Sequence, residues 1–324
     1  MFSFLIMRLF QAIGVVFTMS VIVFVGVYAI GNPIDVMIDP GATQEIREQL
    51  IKQYGFDLPL WHQYFIFVGN VFNGDLGSSM IYNIPVTDLV FSRLGATVEL
   101  VFVSVLIAVF IGIPAGLWAG YKPDSKSAQC IMAFSVIGFS VPTFWIGMLL
   151  IMTFAVSLGI LPSGGRGEIG EFLGFSSSLF TGNGWSHVIL PAINLSLFKT
   201  GLLIRLARTG MIEAMRSDYV KFARAQGLSD FQIVSQHILK NISVPIVTVF
   251  GLELGSTLAF AVVTESVFTW PGVGKLIIDS IQQLDRPVMV SYLVFVVILF
   301  VIINLIVDII QAQLDPRIRL KGKS

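Results

Sequence analysis

The chain has 324 residues, 55% hydrophobic and only 12% charged, with a formal net charge of zero. Soluble domains carry about a quarter charged residues, so a water-soluble globular chain is excluded, and nothing in the charge balance points to a nucleic-acid partner. The single cysteine, Cys130, excludes an internal disulfide framework and any cysteine-based metal site.

Apolar runs long enough to cross a bilayer core, roughly 20 residues at helical rise, place six spans and predict an all-α polytopic membrane fold. The first covers residues 9–34, after Arg8. These 26 uncharged residues are too long for a signal-peptide core and are followed by no A-x-A-like cleavage site, so the span is read as retained. In the segment 31–95, Ile46, Leu50, Ile51 and Tyr54 fall near one helical face after an N-cap at Thr43. Trp61, Tyr64, Phe65, Val68, Val71 and Phe72 form a second, aromatic face of the kind that lies in a membrane interface. Turn signals follow at Asn73-Gly74 and Leu76-Gly77. A cap packed on the ends of the spans is the preferred reading of this segment over a substrate-specific site.

The second span, 100–121, contains Gly112, Pro114 and Gly116, and Trp118 and Tyr121 close it as interface residues. The third, 128–157, contains Gly138, Pro142 and Gly147. The Gly- and Ser-rich segment 158–187 is expected to be irregular and mobile. The fourth span, 188–206, carries Pro191, Lys199 and Gly201; the fifth, 242–264, is broken by Glu253; the sixth is 288–307. Gly and Pro at this frequency suit packed membrane helices, where neighbours re-satisfy freed backbone groups and small residues allow close approach.

Six spans put both termini on one side. Arg8, the turn at 122–126, the segment 205–240 and Arg317, Arg319, Lys321 and Lys323 give that side 13 Lys and Arg, against six on the other (Arg47, Lys52, Arg93, Arg166, Lys275, Arg286) and Lys199 within a span. The positive-inside rule then makes both termini cytosolic. Residues 31–95 carry seven acidic against three basic residues, which suits the outside. The division expected is residues 1–95 for the first span and outer segment, 96–312 for a core of five spans, and 313–324 for a cytosolic tail.

An enzyme needs a nucleophile, an acid/base pair or a metal site. The three histidines, His62, His187 and His237, lie in three different loops and cannot share a metal, and neither H-E-x-x-H nor G-x-S-x-G occurs. The run Trp270-Pro-Gly-Val-Gly-Lys-Leu276 resembles a nucleotide-binding loop but has Thr269 where the first glycine belongs and Leu276 where Ser or Thr should follow the lysine. It reads instead as a turn capping a helix over about 275–283. No catalytic residue and no metal ligand is assigned. Lys199 and Glu253 fall well inside spans, whereas Glu99, Glu265 and Asp308 lie nearer ends. Lys199 and Glu253 form either a structural pair or water-cavity wall, or a contact with a solute on its path.

Between the fourth and fifth spans the segment 209–241 is polar and helical in pattern. Apolar residues at Tyr219, Phe222, Ala223, Phe231, Val234 and Ile238 predict two short amphipathic helices separated at Gly227-Leu228-Ser229-Asp230. Gly227 suits a helix C-terminus that needs a left-handed residue, and Ser229 or Asp230 suits the next N-cap. The product is a compact knob, packed through Phe222 and Phe231, with Ala223 and Ala225 permitting close approach and Lys221 and Arg224 adding charge.

The run Asp218-Tyr-Val-Lys-Phe-Ala-Arg-Ala-Gln-Gly227-Leu, with His237, Asn241 and Pro245 at their spacing, resembles the EAA motif of bacterial ABC-importer permeases, in particular the dipeptide, oligopeptide and nickel group. Lys221-Phe222-Ala223 stands where Glu-Ala-Ala would be, a departure usual in the peptide group. Gly74-Asp-Leu-Gly-Ser-Ser-Met80, Ile84-Pro-Val86, Ser140-Val-Pro-Thr-Phe-Trp145, Ile189-Leu-Pro-Ala192, Thr264-Glu-Ser-Val-Phe-Thr-Trp-Pro-Gly-Val-Gly274 and Asp315-Pro-Arg-Ile-Arg319 also look like the first permease subunit of peptide importers, so the likeness covers essentially the whole chain.

The resemblance implies a MetI-like, type I importer permease in the bacterial cytoplasmic (inner) membrane. It implies a second homologous permease, two ATP-binding subunits and a periplasmic or lipoprotein solute-binding protein, with ATP and Mg held by the ATPase subunits and no cofactor on this chain. Asp218, Tyr219, Lys221, Phe222, Ala223, Arg224, Ala225 and Gly227 would then dock in the ATPase and couple its closure to alternating access. Di- or oligopeptide is the implied solute, with nickel, glutathione or an oligosaccharide as alternatives. A secondary transporter working alone and an intramembrane enzyme are the rival classes.

Overall fold

The computed structural model describes residues 2–29, 34, 38, 43–53 and 55–314; Tyr54 and the tail cations Arg317, Arg319, Lys321 and Lys323 lie outside the described residues. In chain order the elements are α1 (Phe2–Ala29), α2 (Gln44–Gln53), α3 (Leu60–Phe72), α4 (Val86–Tyr121), α5 (Lys126–Ser140) and α6 (Thr143–Leu150), which runs into a π-helical segment, Ile151–Ser157. Strands β1 (Gly170–Phe172) and β2 (Phe175–Ser177) follow, then a 3-10 turn, Ser178–Phe180, and α7 (Gly182–Met215). After α8 (Asp218–Ala225) come α9 (Asp230–Gln232), a second π segment at Ile233–Ile238, α10 (Leu239–Val267), α11 (Val273–Gln282) and α12 (Arg286–Leu314).

Among the described residues five helical stretches are long and apolar enough to cross a bilayer, and the pair α5–α6 makes a sixth if it is one span. That pair corrects the expectation of a continuous third span. Its axis bends by 111° between Lys126–Ser140 and Thr143–Ser157. Pro142 is the cause: proline disfavours helical backbone at the residue before it, and Val141 is extended at φ −105°, ψ 132°. By contrast Pro114, Pro191 and Pro245 are absorbed inside α4, α7 and α10.

The chain divides into two compact units. The first comprises Met1–Thr97 and Pro271–Val301. Within it α3 lies on α1 through Tyr64, whose hydroxyl is 2.7 Å from the Ser20 hydroxyl, and through the rings of Tyr64 and Phe67, 5.4 and 5.7 Å from Phe24. The aromatic face expected of this helix is therefore split: Tyr64 turns inward, while Trp61, Phe65 and Phe72 stay exposed. The turn after α3 is fixed by Asp285, which accepts hydrogen bonds from the Ser79 hydroxyl at 2.5 Å and the Met80 amide at 3.2 Å. The Trp270-to-Leu276 run does lead into a helix, α11, whose first amide, Val273, donates to Thr97 Oγ1 at 2.9 Å.

The second unit comprises Val98–Trp270 and Ile302–Ser324. Its centre is α7, 67% of whose membrane window is buried inside the chain, against 11% for α12. Glycines at every fourth position of α4 bring it against α7 backbone to backbone. A Cβ added at Gly116 would lie 2.5 Å from the Ile204 carbonyl oxygen, and one at Gly120 2.7 Å from that of Arg208. On another face of α7, a Cβ at Gly201 would sit 2.6 Å from the Ser135 carbonyl oxygen of α5. Small residues at the seam let membrane helices gain dispersion contacts where no hydrophobic drive exists between them.

Within the segment 158–187, residues 158–169 form no regular element, as its composition predicts, while a short hairpin follows in an otherwise helical fold. β1 and β2 form a two-stranded antiparallel hairpin with Phe172 opposite Phe175. Its base is built on a buried carboxylate, Glu99, in the N-terminal half of α4. Arg166 grips Glu99 with two hydrogen bonds of 2.6 and 2.9 Å, and Ser178 adds its amide at 3.1 Å and its hydroxyl at 2.8 Å. The Gly165 amide donates to the Phe268 carbonyl at 2.9 Å.

Two measurements check these packing arguments. Because the atoms facing Gly116 are the Ile204 backbone and the Ala207 Cβ, none at the end of a flexible side chain, Gly116→Ala is expected to cost about 1–3 kcal/mol, read as a lower melting temperature in detergent, whereas Gly14→Ala, with nothing within 4 Å of the added Cβ, leaves it unchanged. Removing one partner of a buried ion pair costs about 3–5 kcal/mol, so Glu99→Gln destabilises strongly, and Glu99→Leu combined with Arg166→Met is expected to be less damaging than either single change; additive losses would contradict a coupled pair.

Candidate functional site

The polar segment between α7 and α10 is short, capped and seated on a core. Helix α8 has two turns. It ends in a Schellman arrangement: the Gly227 amide donates to the Arg224 carbonyl at 2.9 Å and the Leu228 amide to the Ala223 carbonyl at 3.3 Å. That closure requires a left-handed residue, and Gly227 has φ +84°. Of the two N-caps expected, the structure uses Ser229, in a capping box with Gln232.

The second of the two short helices expected here is not separate. α9 passes through the π segment Ile233–Ile238 into α10 without a break, so one continuous helical element carries residue 230 into the fifth span. The apolar pattern could not distinguish the two, because Ile233 and Ile238 point into the same core as the span residues Ile242 and Ile246.

The packing face also differs from expectation. Phe222 and Phe231 are 65% and 81% exposed. The helix is seated instead through Val220 and Ala223, which join Ala207, Met211 and Ala214 of α7 and Ile233 and Ile238 in one buried cluster. Aromatic bulk drew the sequence reading towards Phe222 and Phe231; small and branched residues fill the tight seat. The result is a rigid helix whose outward surface presents Tyr219, Lys221, Phe222, Arg224 and Ala225.

Electrostatics trim this surface. Lys221 Nζ lies 2.8 Å from Asp218 Oδ1, and its hydrogen bond and charge hold the Asp218 carboxyl below its ordinary range. Asp230 accepts a 2.6 Å hydrogen bond from the Tyr121 hydroxyl and lies 3.3 Å from Arg224 Nη2. It ties the end of α4, the end of α8 and the start of α9 together. Nothing in the local sequence announces this link, since Tyr121 and Asp230 are 109 residues apart. Beside it Pro114, Trp118, Tyr121, Met211, Phe231 and Val234 line an open, mostly apolar groove of about 360 Å³.

Lys199 and Glu253 are not bonded to each other. The Lys199 ammonium donates to the Leu195 carbonyl one turn back at 2.9 Å and reaches the Ser104 hydroxyl at 3.5 Å. The Glu253 carboxylate accepts from the Ser256 hydroxyl at 3.0 Å. Lys199 is 4% exposed in the single chain, inside its own bundle rather than on an open surface. Further along α7, Asn194 donates to the Thr264 hydroxyl at 3.0 Å, continuing a buried polar line.

Comparison with known proteins bears on the whole chain. Residues 112–320 match the family described as binding-protein-dependent transport system inner membrane component, and residues 1–101 match its N-terminal companion. The oligopeptide transport system permease protein AppB of Bacillus subtilis is 38% identical over 98% of this chain and 99% of its own length. The glutathione transport system permease protein GsiC of Escherichia coli is 36% identical over 99% of this chain, and the dipeptide transport system permease protein DppB of Escherichia coli is 35% identical over 99%, each along its full length. Among solved structures, the inward-facing MetNI methionine ABC transporter superposes with a TM-score of 0.56 at 19% identity, over 71% of this chain and 97% of its own, which shows a shared fold. With five or six membrane-crossing helices and two adjoining family matches along its length, the chain belongs to the binding-protein-dependent transport system inner membrane components.

Proposed function

We propose that this chain is the transmembrane permease subunit of an ATP-driven ABC importer for di- or oligopeptides. One observation carries the coupling part of the reading: a two-turn helix with a closed C-terminus, seated by Val220 and Ala223 on the core of α7 and α10, turns Tyr219 and Phe222 outward. A membrane subunit has no use for an exposed aromatic on a rigid polar helix unless a partner covers it, and aromatic anchors are where interfaces concentrate their energy. The partners are two ATP-binding subunits on this face, a second homologous permease and an external solute-binding protein. ATP and Mg reside on the ATP-binding subunits, and this chain has no catalytic site of its own. The excess of Lys and Arg in the segments assigned to one side of the membrane supports a cytosolic location for both termini and α8, in the inner membrane of a bacterial cell.

Transport follows from the seat. α8 shares a core with α7 and the start of α10, so a displacement imposed on it by closure of the ATPase dimer is borne by those helices as a body. Two of the three relatives named above take peptides by name, and glutathione is itself a small peptide; this favours a peptide cargo over nickel or an oligosaccharide. Selectivity between peptides rests on the solute-binding protein.

Phe222→Ala removes an exposed side chain and is expected to change the stability of the subunit by no more than about 0.5 kcal/mol, while weakening co-purification with the ATP-binding subunits about tenfold, equivalent to ~1.4 kcal/mol. In reconstituted vesicles Gly227→Val, which forces a branched residue to positive φ, should insert normally but abolish solute-stimulated ATP hydrolysis, whereas Gly227→Asn, tolerated there, keeps much of it. Full coupling in the valine variant would remove α8 from the ATPase interface.

A further inference from the structure

The hairpin β1–β2 has a firmly held base and an apolar, strained tip. At the base, Arg166 and Ser178 close on Glu99, the Thr181 hydroxyl donates to the Glu168 carbonyl at 2.8 Å, and the Glu168 amide donates to Asn183 Oδ1 at 2.9 Å. Both ends of the hairpin are thus pinned. At the tip, Phe172 pairs with Phe175 across a two-residue turn in which Leu173 has φ +50° and Gly174 φ +81°. Positive φ at both central residues is a type I′ turn, a position that favours Asn-Gly or Asp-Gly. A leucine there is strained, and a backbone outlier held by its surroundings is a pointer to function.

The strain places a hydrophobe where a polar residue would fold more easily. Leu173 is 83% exposed, and Phe172 and Phe175 beside it are also exposed. No residue from 172 to 180 is charged. The Phe172 ring packs on Phe180, 5.7 Å away, and the chain then enters α7, where the half-exposed Trp185 donates its indole N–H to the Leu179 carbonyl at 2.9 Å. Trp185 stands in the first turn of a membrane-crossing helix, so it marks the height at which α7 meets the membrane surface. Tryptophan at that level with Phe and Leu beside it is the composition of an interfacial anchor. Across the hairpin the exposed Glu171 stands opposite Ser176, alternating in face with Phe172 and Phe175, so the hairpin has one apolar and one polar side, the composition of an interfacial element.

We propose that the hairpin tip Phe172-Leu173-Gly174-Phe175 is a membrane-interface anchor that inserts its three apolar side chains among the lipid headgroups and upper acyl chains at the end of α7 opposite α8. This surface is independent of the cargo and of the ATPase contact. It gives the segment pinned by Glu99 a second hold, on lipid, and fixes the height of that end of the bundle.

Nitroxide labels test it in the assembled transporter in lipid nanodiscs. Cys130 is exposed, so Cys130→Ser is the background, with single cysteines at Leu173→Cys, Phe175→Cys and, as a control pointing elsewhere on the strand, Ser176→Cys. Labels at the first two positions should collide several-fold more with oxygen, which concentrates in lipid, than with a water-soluble nickel chelate, and the control should show the reverse. Leu173→Asn relieves the turn, so the subunit folds at least as well while the label at Phe175→Cys shifts several-fold towards the aqueous collider. Collision with the nickel chelate as free at 173 and 175 as at 176 would overturn the proposal. Protection from both colliders that arises only when the solute-binding protein is added would overturn it equally, in favour of a protein contact.

Discussion

Two helices that touch with no side chain on one of them set the frame of the second unit. α4 meets α7 through Gly112, Gly116 and Gly120, at separations a single methyl group would violate. α7 is held on another face by α5 in the same manner, through Gly138 and Gly201. Close approach fixes the helices in register, because each glycine meets a carbonyl or Cβ of the facing helix that leaves no room for a side chain. The buried cluster from Ala108 to Ile246 forms beside this seam, and the seat of α8 is part of that cluster. The contact proposed for α8 would reach the spans through this shared cluster.

Several polar groups inside the spans are satisfied within their own helix. Lys199 donates to its own helix, Glu253 accepts from a hydroxyl three residues on, and Thr200 and Thr257 return hydroxyl bonds to carbonyls one turn back. Asn194, which donates to Thr264, and Asp285, which accepts from Ser79, bond across elements instead, and Glu99 does so with the most partners. Its partners come from a segment 67 and 79 residues away, so it joins elements that no local preference would bring together. A charge buried without such partners would be expelled or neutralised; with them it organises a segment rich in glycine.

Much of this was legible in the order of residues. Hydropathy located the spans, the Gly227 break marked the end of α8, and the Trp270-to-Leu276 run announced the start of α11. What was not legible depended on which of two apolar residues faces the core. Val220 and Phe222 are both hydrophobic and two positions apart; only the tight seat on α7 decides for valine. The bend at Val141-Pro142 was hidden because Pro191 and Pro245, with similar neighbours, sit inside unbroken helices; whether a proline bends a span depends on what packs there. The Glu99–Arg166 grip and the Tyr121–Asp230 bond are contacts between distant residues, and periodicity carries no information about them.

The composition of α7 bears on how the protein is made. It is the least hydropathic of the membrane-crossing helices apart from the stretch beginning at Asp230, and it carries Lys199 near its middle, a residue that costs about 2.5–3.5 kcal/mol to place at the centre of a lipid-facing helix. Left alone in lipid, such a helix gains little by entering. In company its lysine is covered and its carbonyls meet glycines on two neighbours. During synthesis α4 and α5 emerge first, and the groove they form is the environment in which α7 becomes stable. Integration of this span is therefore an act of assembly, and damage to the glycine face of α4 would show itself as a failure of biogenesis before any failure of transport.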